Sequence, residues 1–361
     1  MDFTLSEDAE MVRSTVHEFV RRDLLPLEPK FLLAKTIEER QEITRGATEK
    51  LKEMGLYSAG VPEEFGGGGL GMIETCLIAE EISFTIIPVE WGDLTPILYE
   101  CTEHQKENYL FPVVQGTKRY SLAFREPVHF TTADKMATTA QPEGQGYIVN
   151  GVKLLSRPDF DFCLVFALAP EGPTCFILER DAPGAQLSAE KENSDIRLIL
   201  NDCIIGQDRI LGKPGAALTL GQKWFPLTRI TRSAAILGVC RRILETTTQY
   251  VRDWKSMNEP ISSRQETRRS LASMAGNIEA LRWLVYHTAW LATTSSKINY
   301  ESTLLKLQAH NVLEDTVNSS VRIHGGTMPP IEHWLIGASK EGEVLDMLRL
   351  VVSQEVIARY A

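Results

Sequence analysis

The sequence predicts an α+β protein: a helical first third, a β-rich middle and a helical last third. Three observations carry this. Val12, Val16, Phe19 and Val20 recur at helical spacing near the start. Between about 119 and 215, short apolar runs alternate with Gly, Pro and Asp turns. Beyond Pro226, the residues Leu271, Met274, Ala275, Ile278, Leu281 and Val285 form one apolar stripe with charges opposite.

The first helix is expected to stop at Pro26 and Pro29, since proline lacks the N–H that would continue it. Helical patterns follow over roughly 37–55 and 72–83. Between them, Gly66, Gly67, Gly68, Gly69 and Gly71 mark a loop, with no strand-then-helix context to make it a phosphate cradle. In the middle segment, Asn150-Gly151 between apolar flanks is the best hairpin signal. Cys163–Leu168, Cys175–Leu178 and Arg197–Leu200 are short β-type runs, and together they suit a small antiparallel barrel or sandwich. Long helices return after Pro226, with Leu304, Leu307, Val312 and Val317 as a less regular stripe towards 322. The expected domains are 1–118 (helical), 119–222 (β) and 223–361 (helical bundle). No internal repeat or low-complexity tract interrupts them.

Composition narrows the class. The chain has 361 residues, enough for two or three core-bearing units. With 43% apolar and 24% charged residues it fits an ordinary globular protein. A formal charge of −10 argues against a nucleic-acid surface, which needs a basic face. Six cysteines without a CxxC pair predict reduced, buried thiols. Seven histidines include no HxxxH or HExxH, so no metal site is expected. No run approaches a membrane span. The acidic start, Met1-Asp2-Phe3-Thr4-Leu5, lacks the pattern of a secretory signal, and a cytoplasmic location is expected.

Several motifs follow one another in an informative order: Val61-Pro62-Glu63-Glu64-Phe65-Gly66-Gly67, Glu80-Glu81-Ile82-Ser83, Glu126-Pro127, Ile148-Val149-Asn150-Gly151-Val152-Lys153 and His324-Gly325-Gly326. In that order and spacing they resemble the flavin-dependent acyl-CoA dehydrogenase family across essentially the whole chain. The resemblance implies an N-terminal helical domain, a middle antiparallel β domain and a C-terminal four-helix bundle. It also implies FAD as cofactor, an acyl-CoA thioester as substrate, and an oligomer. The implied reaction is α,β-desaturation, in fatty acid or steroid side-chain catabolism. A carboxylate removes the α-proton while the β-hydride leaves for the flavin. Such a proton becomes removable when the thioester oxygen is hydrogen-bonded and the base is desolvated.

Carried over residue by residue, the resemblance is uneven. The family's Glu-Gly-Thr base triplet, about a dozen residues before its Ile-Ala-Arg ending, falls on Met347-Leu348-Arg349, ahead of Ile357-Ala358-Arg359. Methionine accepts no proton. Glu341 and Glu343 are the nearby acids, at a shorter spacing from His324-Gly325-Gly326 than the family uses. The position matched to the family's alternate base is Lys255. Cofactor contacts are implied at Glu126, Pro127, Thr131, Thr132, Ser156, Gly325 and Gly326. The family's glycines after Glu-Pro are replaced by Val128 and Phe130, and its aromatic flavin lid by Leu154. Its Arg-x-x-Phe-Gly, which contacts the neighbouring subunit's FAD, is matched by Trp254 and Met257. Arg229 matches an Arg near the thioester.

Ile331-Glu332-His333 resembles a subfamily without the Glu-Gly-Thr base, some members of which are non-catalytic chains of mixed dehydrogenases. The expected function is therefore that of an acyl-CoA dehydrogenase subunit, impaired alone and paired with a catalytic dehydrogenase-like chain. The alternative is a non-redox acyl-CoA-binding hydratase or lyase on the same fold.

Overall fold

The structure, a computed structural model, describes residues 4–91, 96–127, 135–155, 159–192, 195–256, 259–295, 297–327, 329–331 and 345–360. The chain forms two compact units. One comprises 1–60, 69–91 and 226–361, and the other 61–68 and 92–225.

The first unit is helical. Helix α1 (Glu7–Phe19) starts at Ser6, whose hydroxyl accepts from the Ala9 N–H at 3.1 Å, with Glu7, Asp8 and Glu10 at its positive end. The chain does not stop at the prolines. It continues through a π turn (Val20–Leu24) and a 3₁₀ turn (Leu25–Leu27) into α2 (Glu28–Leu33). Pro26 and Pro29 sit in first turns, where the missing N–H costs no helical bond. A capping box of Thr36 and Glu39 opens α3 (Ile37–Glu53). Helix α4 (Met72–Ile82) is buried from Cys76 to Ile82.

The second unit holds the sheet and two short helical pieces, α5 (Glu103–Gln105) and α6 (Phe111–Val114). Its strands are β1 (Tyr120–Ala123), β2 (Thr139–Glu143), β3 (Gly146–Leu155), β4 (Phe162–Ala169), β5 (Gly172–Glu179), β6 (Ala185–Glu192), β7 (Asp195–Gly206) and β8 (Ile210–Leu211). They run in the order β6-β7-β3-β2-β4-β5-β8, with β1 beside β4. The sheet is mixed, because β1–β4 and β2–β4 pair in parallel while the other pairings are antiparallel. Two apolar clusters line it, one around Phe162, Leu164 and Phe166 and the other around Cys163, Val165 and Phe176. Alternate residues of β4 thus enter different cores.

Asn150-Gly151 is not a turn. It lies inside β3, where the register to β7 shifts between Val149 and Gly151, and the chain reverses at Gly144-Gln145 instead. The Asn150 amide is engaged across the bulge, donating to Asp202 Oδ1 at 3.1 Å and accepting from the Asp202 N–H at 2.8 Å.

Helix α7 (Ala217–Asp253) begins ahead of Pro226 and carries that proline inside it. Within the second unit, Trp224 stacks on Phe225 at 4.6 Å and Phe225 meets Phe124 at 5.6 Å, aromatic packing that offsets the lost helical hydrogen bond. Helices α8 (Gln265–Thr294), α9 (Asn299–Ile323) and α10 (Leu345–Tyr360) complete the first unit. In α8 the predicted stripe is buried at Met274, Ile278, Leu281 and Val285. In α9 the inner face is Leu305, Ala309, Leu313, Thr316 and Ser320, whereas Leu304, Leu307, Val312 and Val317 flank it half-buried. No described helix is long and apolar enough to cross a membrane. All six cysteines are free and buried.

Candidate functional site

Each unit carries one buried charge arrangement among the motifs singled out above. In the second unit, Glu126 and Lys153 are 3% and 0% exposed. Lys153 lies on β3 and donates from Nζ to Glu126 Oε1 at 2.8 Å and to the Phe124 carbonyl at 3.3 Å. Glu126 also accepts the N–H groups of Thr138 (Oε1, 2.9 Å) and Ala137 (Oε2, 2.8 Å). Burial alone would raise the Glu126 pKa, but the Lys153 charge and the hydrogen bonds prevail and lower it. At Lys153 burial prevails over Glu126 and brings the pKa down to about 8. The carboxylate thus ties Glu126 to the residues just ahead of β2 through backbone amides and to β3 through a buried cation. It is a clamp between these segments, with its charge turned into the protein. The lone lysine in the apolar run Val152-Lys153-Leu154-Leu155 was the available signal for this buried pair, since a cation there needs an anion.

The Glu80-Glu81 pair organises the first unit. Glu80 Oε1 accepts from Arg241 Nη1 and Arg282 Nη1, each at 2.7 Å, and Oε2 accepts from the Tyr286 hydroxyl at 2.5 Å. Glu81 accepts from Arg241 at 2.7 Å and meets His17 Nδ1 at 2.9 Å. Close by, Glu28 takes Arg242 at 2.8 Å and Glu245 takes Arg21 in a two-pronged contact at 2.8 and 3.0 Å. The guanidinium groups of Arg21, Arg241 and Arg242 all lie within 4.6–5.4 Å of the Phe84 ring centre. This network ties α1, α4, α7 and α8 together. Its carboxylates are occupied by cations and it is a structural device.

Arg229, 7% exposed on α7, donates from Nη1 to Asn299 Oδ1 at 2.7 Å and to Thr303 Oγ1 at 2.8 Å on α9. Its described contacts join two helices of the bundle.

The His324-Gly325-Gly326 segment caps α9. Gly325 and Gly326 adopt φ of +73° and +91°, and their N–H groups close onto the carbonyls of Arg322 and Val321. A Cβ added at either glycine would meet nothing within 4 Å. The left-handed backbone demands glycine here, and crowding does not. His324 Nδ1 lies 2.9 Å from the Ser320 carbonyl, and its ring packs on Tyr250 at 4.1 Å. Tyr250 in turn stacks on Trp254 at 5.6 Å, and Trp254 is 55% exposed. The three rings form a ladder from the α9 cap to the surface, which sequence reading missed because His324 lies far along the chain from Tyr250 and Trp254. Lys255 is exposed beside it.

Pro127 is half-buried beside the clamp. Thr131, Thr132, Ser156, Glu341 and Glu343 lie outside the described residues. The structure therefore brings together Glu126 with Pro127, and Gly325 with Gly326, in different units. It holds Arg229 in the bundle.

Two family models match the chain, "Acyl-CoA dehydrogenase, N-terminal domain" over residues 6–117 and "Acyl-CoA dehydrogenase, C-terminal domain" over 215–333. The chain belongs to the acyl-CoA dehydrogenase family. Among relatives of this family, it is 28% identical to the 3-(aryl)acrylate reductase of Clostridium sporogenes, over 89% of each chain. It is 26% identical to the mitochondrial short-chain specific acyl-CoA dehydrogenase of Rattus norvegicus, over 99% of this chain and 92% of that one. A solved acyl-CoA dehydrogenase from Bacillus anthracis, complexed with FAD, is 25% identical with a TM-score of 0.83, covering 99% of this chain and 68% of that one.

Proposed function

We propose that this chain is an FAD-associated acyl-CoA dehydrogenase subunit that does not turn over alone and completes a dehydrogenase with a catalytic chain of the same family. The observation that carries this is Met347 at the position where the family's base triplet begins, with Lys255 at the alternate base position. Neither side chain can serve as a carboxylate base. A missing general base costs about 10²–10⁴ in rate. Cytoplasmic location goes with this reading.

Part of the chain fits FAD. The exposed Trp254 indole, backed by Tyr250 and His324, offers a face to a flat ring, and the open glycine cap allows close backbone approach. Trp254 brings no charge to a pyrophosphate, which the arginine matched there in relatives would contact in a two-pronged way. Glu126 contributes by anchoring the residues just ahead of β2, since its carboxylate oxygens accept from Lys153 and the amides of Ala137 and Thr138. Arg229 is assigned to the substrate side of the bundle. Bound FAD would supply the acceptor for the substrate hydride.

The test is reconstitution. The purified chain is mixed with candidate family members, and acyl-CoA-dependent electron transfer to an artificial acceptor is followed. Activity that requires both chains is the expected result. Full activity from this chain alone contradicts the reading.

A further inference from the structure

Two neutral oxygens anchor the Arg229 guanidinium to α9, those of the Asn299 side chain and the Thr303 hydroxyl. Elsewhere in the same unit, Arg21, Arg241, Arg242 and Arg282 donate to carboxylates. The difference matters, because a carboxylate holds an arginine and matches its charge in place. An amide or hydroxyl oxygen holds it and leaves the charge in force.

The anchors are themselves fixed. Asn299 is the first residue of α9, and its Oδ1 accepts from Arg229 Nη1 at 2.7 Å. Its backbone carbonyl accepts from the Thr303 hydroxyl at 2.5 Å. With its proton committed there, the Thr303 oxygen turns lone pairs to Arg229 Nη1, which donates to it at 2.8 Å. Both α9 contacts therefore end on one nitrogen of the guanidinium. On α7, the Ser233 hydroxyl donates to the Arg229 carbonyl at 2.7 Å and steadies the backbone that carries the side chain. Thr303 and Ser233 are fully buried, whereas Asn299 is exposed.

We infer that Asn299 and Thr303 are positioning residues for substrate, orienting a still-charged Arg229 for the thioester end of an acyl-CoA. The inference rests on the proposed reading of Arg229 as a substrate-side residue. A cation donates more strongly than a neutral group to a thioester oxygen, so the neutrality of the anchors is the property that serves binding.

The test is calorimetric binding of butyryl-CoA, octanoyl-CoA and free CoA to the full chain supplemented with FAD. Arg229→Gln is the control for the reading, and it weakens acyl-CoA binding while free CoA binds as before. Asn299→Asp decides the inference. An acid is favoured in the first turn of a helix, so α9 is kept and the anchor becomes an ion pair. A merely structural anchor would be served as well or better by that change. The expected result is an unchanged or higher melting temperature with acyl-CoA binding weakened about tenfold and free CoA unaffected. Thr303→Val also loses about tenfold, and Thr303→Ser, which keeps the hydroxyl, restores binding. A parent that binds no acyl-CoA, or an Arg229→Gln chain that binds it as tightly, overturns the reading and the inference together. Undiminished acyl-CoA affinity in Asn299→Asp, beside an impaired Arg229→Gln, overturns the inference alone.

Discussion

Lys153 and Glu126 show how a family-like motif is held in place by a buried ion pair. The family-like Glu126-Pro127 survives in a chain whose following glycines are gone, and the carboxylate explains why: it holds a buried lysine and two backbone amides. Lys153→Met leaves an unpaired buried carboxylate and is expected to cost about 3–5 kcal/mol in urea unfolding. The double variant Glu126→Leu/Lys153→Met is expected to recover much of that loss, because neither charge is then stranded. The proposed impairment rests on a different residue, Met347. If Met347 marks the place of the lost base, Met347→Glu in the reconstituted chain raises acyl-CoA dehydrogenation at least tenfold, read as the rate of flavin reduction. An unchanged rate would place the lesion elsewhere.

At the scale of elements, α4 and α7 pack at the limit of closeness. A Cβ at Gly238 would lie 2.0 Å from the Glu80 carbonyl oxygen, so the small residue sets the helix separation. Gly238→Ala is expected to destabilise by about 1–3 kcal/mol despite its better helix propensity, measured by thermal melting. The charged network around it has a pH signature. At Glu245, the hydrogen bond from Arg21 leads in lowering the pKa. At Glu81, burial raises it but Arg241 and His17 outweigh that, and the net shift is again downward. Both groups therefore bind fewer protons folded than unfolded in acid. Their contribution is present above the usual carboxylate value of 4.5 and is lost as pH falls through the lower folded values. Unfolding midpoints are expected to drop below about pH 4.5, and Arg241→Gln flattens that drop. A stability that is level through this range would show the network to be inert.

For the whole molecule, the order of helices, strands and helices was legible in the periodicities, as were the stripes of α1 and α8. What was not legible came from tertiary override. Pro226 sits inside α7 because Trp224 and Phe225 pack into the second unit. Asn150-Gly151 makes a bulge because Asp202 engages the amide side chain. The α9 stripe was placed off its true face because Thr316 and Ser320 are buried, with the Thr247 hydroxyl donating to Ser320 at 2.8 Å, and a hydrophobicity count ignores such residues. At the level of backbone, the Gly325-Gly326 turn was legible, because both positions adopt the left-handed φ that glycine favours. The ring ladder was not legible, because His324 meets Tyr250 and Trp254 only through the fold.

The proposal that this chain does not desaturate a thioester alone is tested most directly by its visible spectrum. The purified chain is supplemented with FAD, and acyl-CoA thioesters of several lengths are added without oxygen. A flavin band that stays oxidised until a catalytic partner chain is added is the predicted result. Bleaching of the band by a thioester in this chain alone would contradict it.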